Sequence, residues 1–432
     1  MNIEGSILLS KHPTVFLFFV ISGLYLRKII FLSTNHHLFS NLSAIFFLTY
    51  PYIFGHSLFN VKDIPFMSVW LVCTYFLINI FHDYLKNSKF SLKKIIVFAF
   101  LTSYLMSIRI TGVLIFIEYI IFLILFLNLS KQSALKFLKK NLKSFFIFSF
   151  IFLISIYLLH PSFWSDPLKF LDSINFMSQH IQTVCTITLG ECMKAQDLPS
   201  SYLFIWFFFK LPIIILIGLL LFPFVEKKIF IKNINNLIVG TLSLSIFSII
   251  FILLLFEVNL YDELRQVLFL IPLIFIVSLI AIFFFKKKVG IICLGLFIIF
   301  FYFQNIKIYP YNYIWFNNFN IFTNINKNFE LDYWGVSTKQ IAVALENNSK
   351  KEYGCIISNR NDGIKFFIEN KNNCFISFSE LHKKKERPFY VALFERSLRK
   401  GMPNNCKITK QEKINVNFSN EKLILAKIYK CS

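Results

Sequence analysis

Residues 264–288 read LRQVLFLIPLIFIVSLIAIFFFKKK, an apolar run that ends abruptly in three lysines. An α-helix needs about 20 apolar residues to cross the hydrocarbon core of a bilayer, so we predict a transmembrane helix over 264–285. Lysines that directly follow such a helix are typical of the cytoplasmic side. This stretch therefore predicts the class of fold and also an orientation.

The same pattern recurs along the chain, which has 432 residues, is 56% hydrophobic and has a mean hydropathy of +0.62. A soluble protein of this length would need many more polar residues to cover its surface. We predict an α-helical polytopic membrane protein with about ten spans. The spans are 13–32, 41–55, 64–81, 95–107, 112–129, 145–159, 211–225, 237–256, 264–285 and 289–305.

The net charge of +22 is explained by topology, and we expect no nucleic-acid partner. Alternate loops carry seventeen lysines and arginines, whereas the opposite side of the membrane region carries seven. The positive-inside rule makes the first side cytoplasmic and supports a multi-pass topology. Both chain ends then lie outside the cytoplasm. Since no signal-peptide pattern precedes Pro13, we expect a further helix upstream of Met1.

The organisation beyond the spans predicts two domains. Residues 1–306 form the transmembrane domain with an outer loop at 160–201, and residues 307–432 form a small extracytoplasmic α/β domain. Within the second domain, periodicity predicts a helix over 337–347 and strands over 353–358, 388–394 and 423–429.

Cysteine positions fit this arrangement. Cys73 and Cys293 fall inside predicted spans, where they are expected to pack without reacting. Six others lie in outer segments, an even number in a compartment that can oxidise thiols, so one or more disulfides are plausible with the pairing left open. They are Cys185, Cys192, Cys355, Cys374, Cys406 and Cys431. No Cys or His spacing typical of zinc occurs, and a need for another divalent metal is left open.

The most informative polar cluster lies in the segment YPYIFGHSLFNVKDIPF, residues 50–66. It places His56, Asn60, Lys62 and Asp63 in one tight turn between two spans. Asp63 suits the positive end of a helix dipole, so a simple N-cap is one interpretation. The neighbouring imidazole, amide and amine exceed what a cap requires, so a chemical site is the other.

Three cations lie at the outer ends of spans: Lys62, Arg109 and Arg265. Such groups can hold a lipid phosphate, which Arg does in bidentate fashion, or they can simply reach toward the membrane interface. Asp166, in the loop HPSFWSDP at 160–167, is a candidate substrate-facing acid, although Trp164 makes an interfacial anchor equally reasonable. Lys210 and Glu118 lie within apolar runs, where we expect structural pairing rather than chemistry.

Several of these motifs together resemble a known family. They are FGHSLFNVKDIPF at 54–66, RITG at 109–112, HPSFWSDP at 160–167, LPSSY at 198–202, Leu264-Arg265 before Pro272, and DYWG at 332–335. In order and spacing the series resembles the membrane glycosyltransferases of the dolichyl-phosphate-mannose protein mannosyltransferase superfamily. These are the GT-C proteins of glycosyltransferase family 39, including the ArnT-like and RgtA/B/C/D-like proteins. The Lys-Asp-Ile-Pro-Phe motif is the most specific element.

The resemblance implies a protein of the bacterial inner membrane. It also implies transfer of a sugar from a polyprenyl-phosphate carrier to an acceptor, whether lipid, glycan or protein, on the outer face of that membrane. It implies a catalytic role for Asp63 and phosphate or substrate binding by Lys62, His56, Asn60, Arg109, Arg265 and Asp166. The family carries its main catalytic carboxylate in a first outer loop, and Glu4 does not match that motif. We therefore expect that loop to be encoded together with the upstream helix.

Two other classes of function remain open from the sequence. A transporter or flippase for a lipid-linked saccharide would keep the outer cations but would not need a carboxylate in the turn. An O-antigen-type polymerase or ligase also works at the outer face, but it relies on Arg and His in large loops. The sugar, the acceptor and the oligomeric state are not indicated by the sequence.

Overall fold

The structure is a computed structural model that describes residues 3–161, 164–166, 169, 172, 185–229, 234–352, 355–368, 374–380, 389–394, 398, 405–415 and 422–431. The chain divides into two compact units. The first comprises residues 1–182, 211–260 and 264–302, and the second comprises 183–210, 261–263 and 303–432.

The first unit is helical. Its helices are α1 (Ile3–Thr34), α2 (His37–Thr49), α3 (Pro51–Ser57), α4 (Asp63–Asn87), α5 (Leu92–Ile108), α6 (Ile115–Ser130), α7 (Ala134–Leu159), α9 (Ile213–Ile229), α10 (Ile234–Leu255) and α11 (Leu270–Ile308). Helix α8 (Tyr202–Lys210) lies between α7 and α9 in the sequence but belongs to the second unit. Short 3-10 turns cover Ile110–Leu114 and Arg265–Val267. Aromatic rings fill the core between α4 and α6, where Phe81 lies 5.0 Å from Phe122 and 4.7 Å from Phe126 between ring centroids.

The polytopic helical architecture is confirmed. In the described part of the chain, six helices are long and apolar enough to cross a membrane, or up to eight when each of two bent helix pairs counts as one span. That is fewer than the ten expected spans, although each expected span coincides with helical residues. Two differences account for the count: α5 has only 17 residues, and the last two expected spans are continuous as α11, in which two helices meet at a kink at Lys286.

The second unit contains the small α/β domain. Its strands are β1 (Cys185–Thr188), β2 (Glu191–Lys194), β3 (Cys355–Ser358), β4 (Phe375–Ile376), β5 (Phe389–Phe394), β6 (Cys406–Asn415) and β7 (Lys422–Cys431). Strands β1 and β2 form a hairpin, and the other five form a sheet in the order β4-β3-β5-β7-β6. Strand β3 runs parallel to β4 and β5, whereas β5, β7 and β6 are antiparallel.

Helices cover one face of this sheet. The helices of the second unit after α8 are α12 (Ile325–Asn328), α13 (Thr338–Glu352) and α14 (Asn361–Phe367). Ile341 and Leu345 of α13 and Ile364 of α14 are fully buried in one apolar cluster with Ile356 and Ile428 of the sheet. Strand β5 is buried along its whole length, as expected for a central strand with both faces covered.

The predicted elements of this domain agree with the structure where it describes them. The helix expected at 337–347 is α13, and the three expected strands correspond to β3, β5 and β7. Residues 353, 354 and 388 of those predictions lie outside the described residues, as do 162–163, 167–168, 170–171 and 173–184 of the expected outer loop. Strands β4 and β6, helix α14 and the β1–β2 hairpin were not predicted.

The six cysteines that were expected in outer segments are all paired. The disulfides are Cys185–Cys192, Cys355–Cys374 and Cys406–Cys431, while Cys73 and Cys293 are free thiols. The first bridge closes the β1–β2 hairpin and the third joins β6 to the end of β7. Covalent ties of this kind suit a small domain with a limited apolar core.

Candidate functional site

Asp63 is the first residue of α4, and Asn60 in the preceding turn holds it from two sides. The Asp63 N–H donates to Asn60 Oδ1 at 3.0 Å, and Asn60 Nδ2 donates to Asp63 Oδ2 at 3.0 Å. Asn60 Nδ2 also lies 3.1 Å from Nδ1 of His56, which is buried on α3. Pro65 in the first turn of α4 fits the helix start, because proline lacks the N–H that would be unpaired there.

Two arginines from distant parts of the sequence meet the Asp63 carboxylate. Arg109 Nη1 donates to Asp63 Oδ1, and Arg265 Nε lies 3.6 Å from Asp63 Oδ2. The side chain of Asp63 is 6% exposed, against 15% for Arg109 and 18% for Arg265. The carboxylate is therefore shielded, whereas both guanidinium groups keep some access to a ligand.

Short turns position the side chains of these two arginines. Arg109 follows α5 in an extended conformation and precedes the 3-10 turn Ile110–Leu114. Arg265 opens the 3-10 turn that leads into α11. The Arg109 guanidinium also lies 5.8 Å from the ring centroid of Phe66, one turn into α4, which is a cation–π contact.

Lys62 adds a third positive charge beside this group. Its pKa is lowered, first by partial burial and then by the positive charge of Arg109, while Asp63 opposes that shift. Three cations thus face one carboxylate. We call Asp63, Arg109, Arg265, Lys62, Asn60 and His56 the arginine–carboxylate site.

This geometry bears on the two structural alternatives. An N-cap role alone does not account for Asp63, because Lys62 occupies the cap position and the Asp63 side chain accepts from Arg109 and Asn60. The alternative that the arginine side chains only extend to the membrane–water interface does not account for them either, since both are ion-paired to Asp63. Four formal charges sum to an excess of two positive charges, so the site is electrostatically suited to an anion.

Asp166 lies in the segment that follows α7. Its carboxylate lies 4.0 Å from Lys169, and its side chain is 45% exposed. Trp164 in the same loop is 50% exposed and donates through Nε1 to the Tyr157 carbonyl at 2.7 Å. The substrate-facing role of Asp166 stays a prediction.

Glu118 and Lys210, the two charges within apolar runs, are both paired. Glu118 Oε2 accepts from Trp70 Nε1 at 2.9 Å in the first unit. In the second unit, Lys210 Nζ lies 3.0 Å from Glu263 Oε2, and both side chains are fully buried. The ammonium also lies 3.9 Å from the ring centroid of Phe316. Both charges therefore have partners, and the expectation of a structural rather than a chemical role stays a prediction.

Sequence reasoning missed the partner of Lys210. Burial raises the pKa of Glu263 to about 8, and the positive charge of Lys210 opposes that shift.

Asp262 and Glu263 both have positive φ angles, +56° and +62°, which is strained for residues other than glycine. Two acids directly before Leu264-Arg265 were the available signal in the sequence.

The DYWG segment at 332–335 has a structural function in the second unit. The Asp332 carboxylate accepts from the N–H groups of Val336 and Ser337, at 2.8 and 3.0 Å, and from the hydroxyls of Ser337 and Tyr313. Burial raises the pKa of Asp332, and these hydrogen bonds oppose the rise. Asp332 thereby fixes the segment that leads into α13.

No family profile matches the sequence, and no curated protein matches it. The structure is similar to the crystal structure of ArnT from Cupriavidus metallidurans bound to undecaprenyl phosphate. That similarity covers 96% of this chain and 83% of the ArnT chain, with 10% sequence identity and a TM-score of 0.44. Values this low do not establish a shared family. Within the described residues no group of three or more His, Cys, Asp or Glu is arranged to hold a metal ion.

Proposed function

We propose that this chain is a membrane glycosyltransferase that moves a sugar from a polyprenyl-phosphate-linked donor to an acceptor at the outer face of the membrane. The observation that carries the proposal is the arrangement of Arg109 and Arg265 on the buried carboxylate of Asp63. The acceptor class, whether lipid, glycan or protein, is left open.

The charge of the site suits a lipid phosphate. Arginine holds phosphate through several parallel N–H donors, and the partial exposure of Arg109 and Arg265 leaves such donors accessible. The site also lies where an amphiphilic anion would reach it, since Asp63 begins a candidate span that continues to Asn87. The head group would lie on the cations while the polyprenyl chain stays in the hydrocarbon.

The chemistry needs a stabilised leaving group. An acceptor hydroxyl attacks the anomeric carbon of the sugar and gives its proton to a base or to water. The bond from that carbon to the phosphate oxygen breaks, and the bonding electrons remain on the polyprenyl phosphate. Fixed cations at that oxygen lower the barrier because charge develops there in the transition state. In this proposal Arg109, Arg265 and Lys62 supply those cations.

Asp63 orients the two arginines in this proposal. Both of its oxygens are engaged, Oδ1 by Arg109 and Oδ2 by Asn60. The catalytic function expected from the sequence, acceptance of the acceptor proton, remains a prediction that requires one of these contacts to open. His56, which touches Asn60, supports the same network.

The test uses the purified full-length gene product in detergent. The donors are tritium-labelled polyprenyl-phosphate sugars extracted from the source bacterium, and the acceptor is an envelope fraction from a strain that lacks the gene. We expect covalent transfer by the unaltered protein and a loss of roughly 100-fold in Asp63→Asn, Arg109→Gln and Arg265→Gln. Arg27→Gln, an arginine bonded to Asn41 elsewhere in the helical unit, is the matched control and should retain full transfer.

The assay separates the alternatives. A flippase yields no covalent product, because it moves the lipid-linked saccharide across the bilayer without breaking a bond. Transfer at unchanged rate in Asp63→Asn would contradict the assignment of this site. Absence of transfer by the unaltered protein, together with transport of the same lipid in vesicles, would favour the flippase.

A further inference from the structure

The first unit contains a second feature, at the opposite end of α4 from Asp63. A cavity of about 200 Å³ lies among α4, α5, α6 and α7. Six of the residues that line it are Phe81, Phe90, Ile95, Phe98, Phe145 and Phe148. The lining begins at Leu77, so the cavity starts about 20 Å along the helix from Asp63 at 1.5 Å rise per residue.

The wall of this cavity is apolar. Its polar groups are the hydroxyls of Ser144 and Tyr119, and Tyr119 is bonded to Thr102 at 3.0 Å. The cavity is partly open, so a chain can enter it, and its wall offers water almost no polar partner, which makes hydrocarbon the suitable occupant. Filling it with hydrocarbon gains the van der Waals contacts that an empty cavity forgoes.

The lysine-rich end of the same helices lies beside the cavity. Phe90 directly follows Lys89, Ile95 lies two residues beyond Lys93, and Ser144 directly follows Lys143. All three lysines are exposed, and within the described residues the structure gives them no hydrogen bond or ion pair. Lys94, by contrast, pairs with Asp83 at 2.5 Å.

Aromatic contacts hold these elements together. Phe90 lies 4.5 Å from Tyr84 and 5.4 Å from Phe81 between ring centroids, and Phe137 of α7 lies 6.1 Å from Phe90. Phe90 thus joins the loop that carries Lys89 to the wall of the cavity. A hydrocarbon chain in the cavity and an anion on the lysines would belong to one molecule.

We propose that this cavity and Lys89, Lys93 and Lys143 form a binding site for an anionic phospholipid of the leaflet at the lysine-rich end. One acyl chain occupies the cavity, and the phosphodiester head group lies against the three lysines. An acyl chain gains little free energy when it moves from the bilayer into an apolar cavity. Selectivity among phospholipids therefore comes from the charge of the head group. The site does not depend on the proposed sugar transfer.

The experiment reconstitutes the full chain in vesicles of equal parts phosphatidylglycerol and phosphatidylcholine, then extracts it in mild detergent for native mass spectrometry. We expect phosphatidylglycerol to remain bound in preference to phosphatidylcholine. The triple variant K89Q/K93Q/K143Q should lose this retention by roughly tenfold or more. The matched triple variant K286Q/K287Q/K288Q removes equal charge from another lysine cluster and should retain the lipid.

Ser144→Phe tests the cavity separately. It fills the space while leaving the lysines in place, and we expect retention to fall as in the lysine variant. Retention that is unchanged in Ser144→Phe, equal for the two phospholipids, or unchanged in K89Q/K93Q/K143Q would overturn the proposal. Undecaprenyl phosphate added to the vesicles provides a further arm. Because it is expected at Arg109 and Arg265, its retention should not change in K89Q/K93Q/K143Q, and a fall in that variant equal to the fall for phosphatidylglycerol would overturn the assignment. Because the three lysines are exposed, K89Q/K93Q/K143Q is expected to fold. Lipid retention by this variant therefore tests the proposal even if Ser144→Phe does not fold.

Discussion

The carboxylate of Asp63 accepts a hydrogen bond from the guanidinium of Arg109, 46 positions further along the chain. The contact joins the start of one candidate span to the turn after α5, and it is largely shielded from solvent. Arg265, which precedes α11, approaches the other carboxylate oxygen. Three separate segments therefore meet at one acidic side chain.

Removal of one member of this group should destabilise the protein. Asp63→Ala leaves two arginines close together with no counter-charge, and we expect a loss of about 1–3 kcal/mol, below the figure for a fully buried pair because the arginines are partly exposed. The double variant Asp63→Ala/Arg109→Gln should lose less than the sum of the two single changes. Thermal unfolding in detergent measures both. Strict additivity would show that the contact contributes no coupling.

Lys62 should make anion binding dependent on pH. Because its pKa is lowered from the ordinary value of 10.5, it loses its positive charge at a lower pH than a free lysine does. Affinity for a short polyprenyl phosphate such as farnesyl phosphate should therefore weaken as pH rises through the alkaline range. Lys62→Arg should flatten this dependence, since arginine stays protonated. Titration calorimetry over that range checks the sign, and the same slope in Lys62→Arg would refute it.

The buried pair of Lys210 and Glu263 predicts a large asymmetry between single and double changes. Lys210→Met removes the cation that favours the charged form of Glu263, so this buried group must take up a proton or stay charged and unpaired, and we expect a loss of about 3–5 kcal/mol. Lys210→Met with Glu263→Gln removes both charges and should be far milder. Thermal unfolding of the single and double variants in the same detergent, without added denaturant, allows the comparison. Equal losses in the single and double variants would argue against the pair.

The three disulfides predict a defined thiol count. Alkylation of the denatured, unreduced protein should label two cysteines, Cys73 and Cys293, and label all eight after reduction. Reduction should also destabilise the second unit, by about 2–4 kcal/mol for each bridge that closes a loop. Mass spectrometry of the alkylated chain gives the count. Eight labelled thiols without reduction would contradict both the pairing and an oxidising compartment.

Local patterns predicted most of the fold. Apolar runs of sufficient length indicated the helices of the first unit, and alternation with β-branched residues indicated β3, β5 and β7. Strand β6, KITKQEKIN after Cys406, was missed because its residues are mostly polar and none of residues 406–414 is buried. Its strand conformation comes from pairing with β7, and the local sequence of β6 does not indicate that pairing.

The candidate site was predicted in part. The turn that contains His56, Asn60, Lys62 and Asp63 is compact in sequence, so its members could be named together. The sequence also proposed the two arginines, but not that they share one carboxylate, because that depends on long-range packing of α4, α5 and α11. The partner of Lys210 depended in the same way on tertiary contacts.

The most direct measurement maps where a polyprenyl phosphate binds. A photoactivatable diazirine placed beside the phosphate of a polyprenyl phosphate, cross-linked to the reconstituted protein and followed by peptide mapping, locates the head group. We expect labelling of the segments around Asp63, Arg109 and Arg265, and its loss in Arg265→Gln but not in Arg27→Gln. Labelling confined to other segments, or equally strong in Arg265→Gln, would contradict the account.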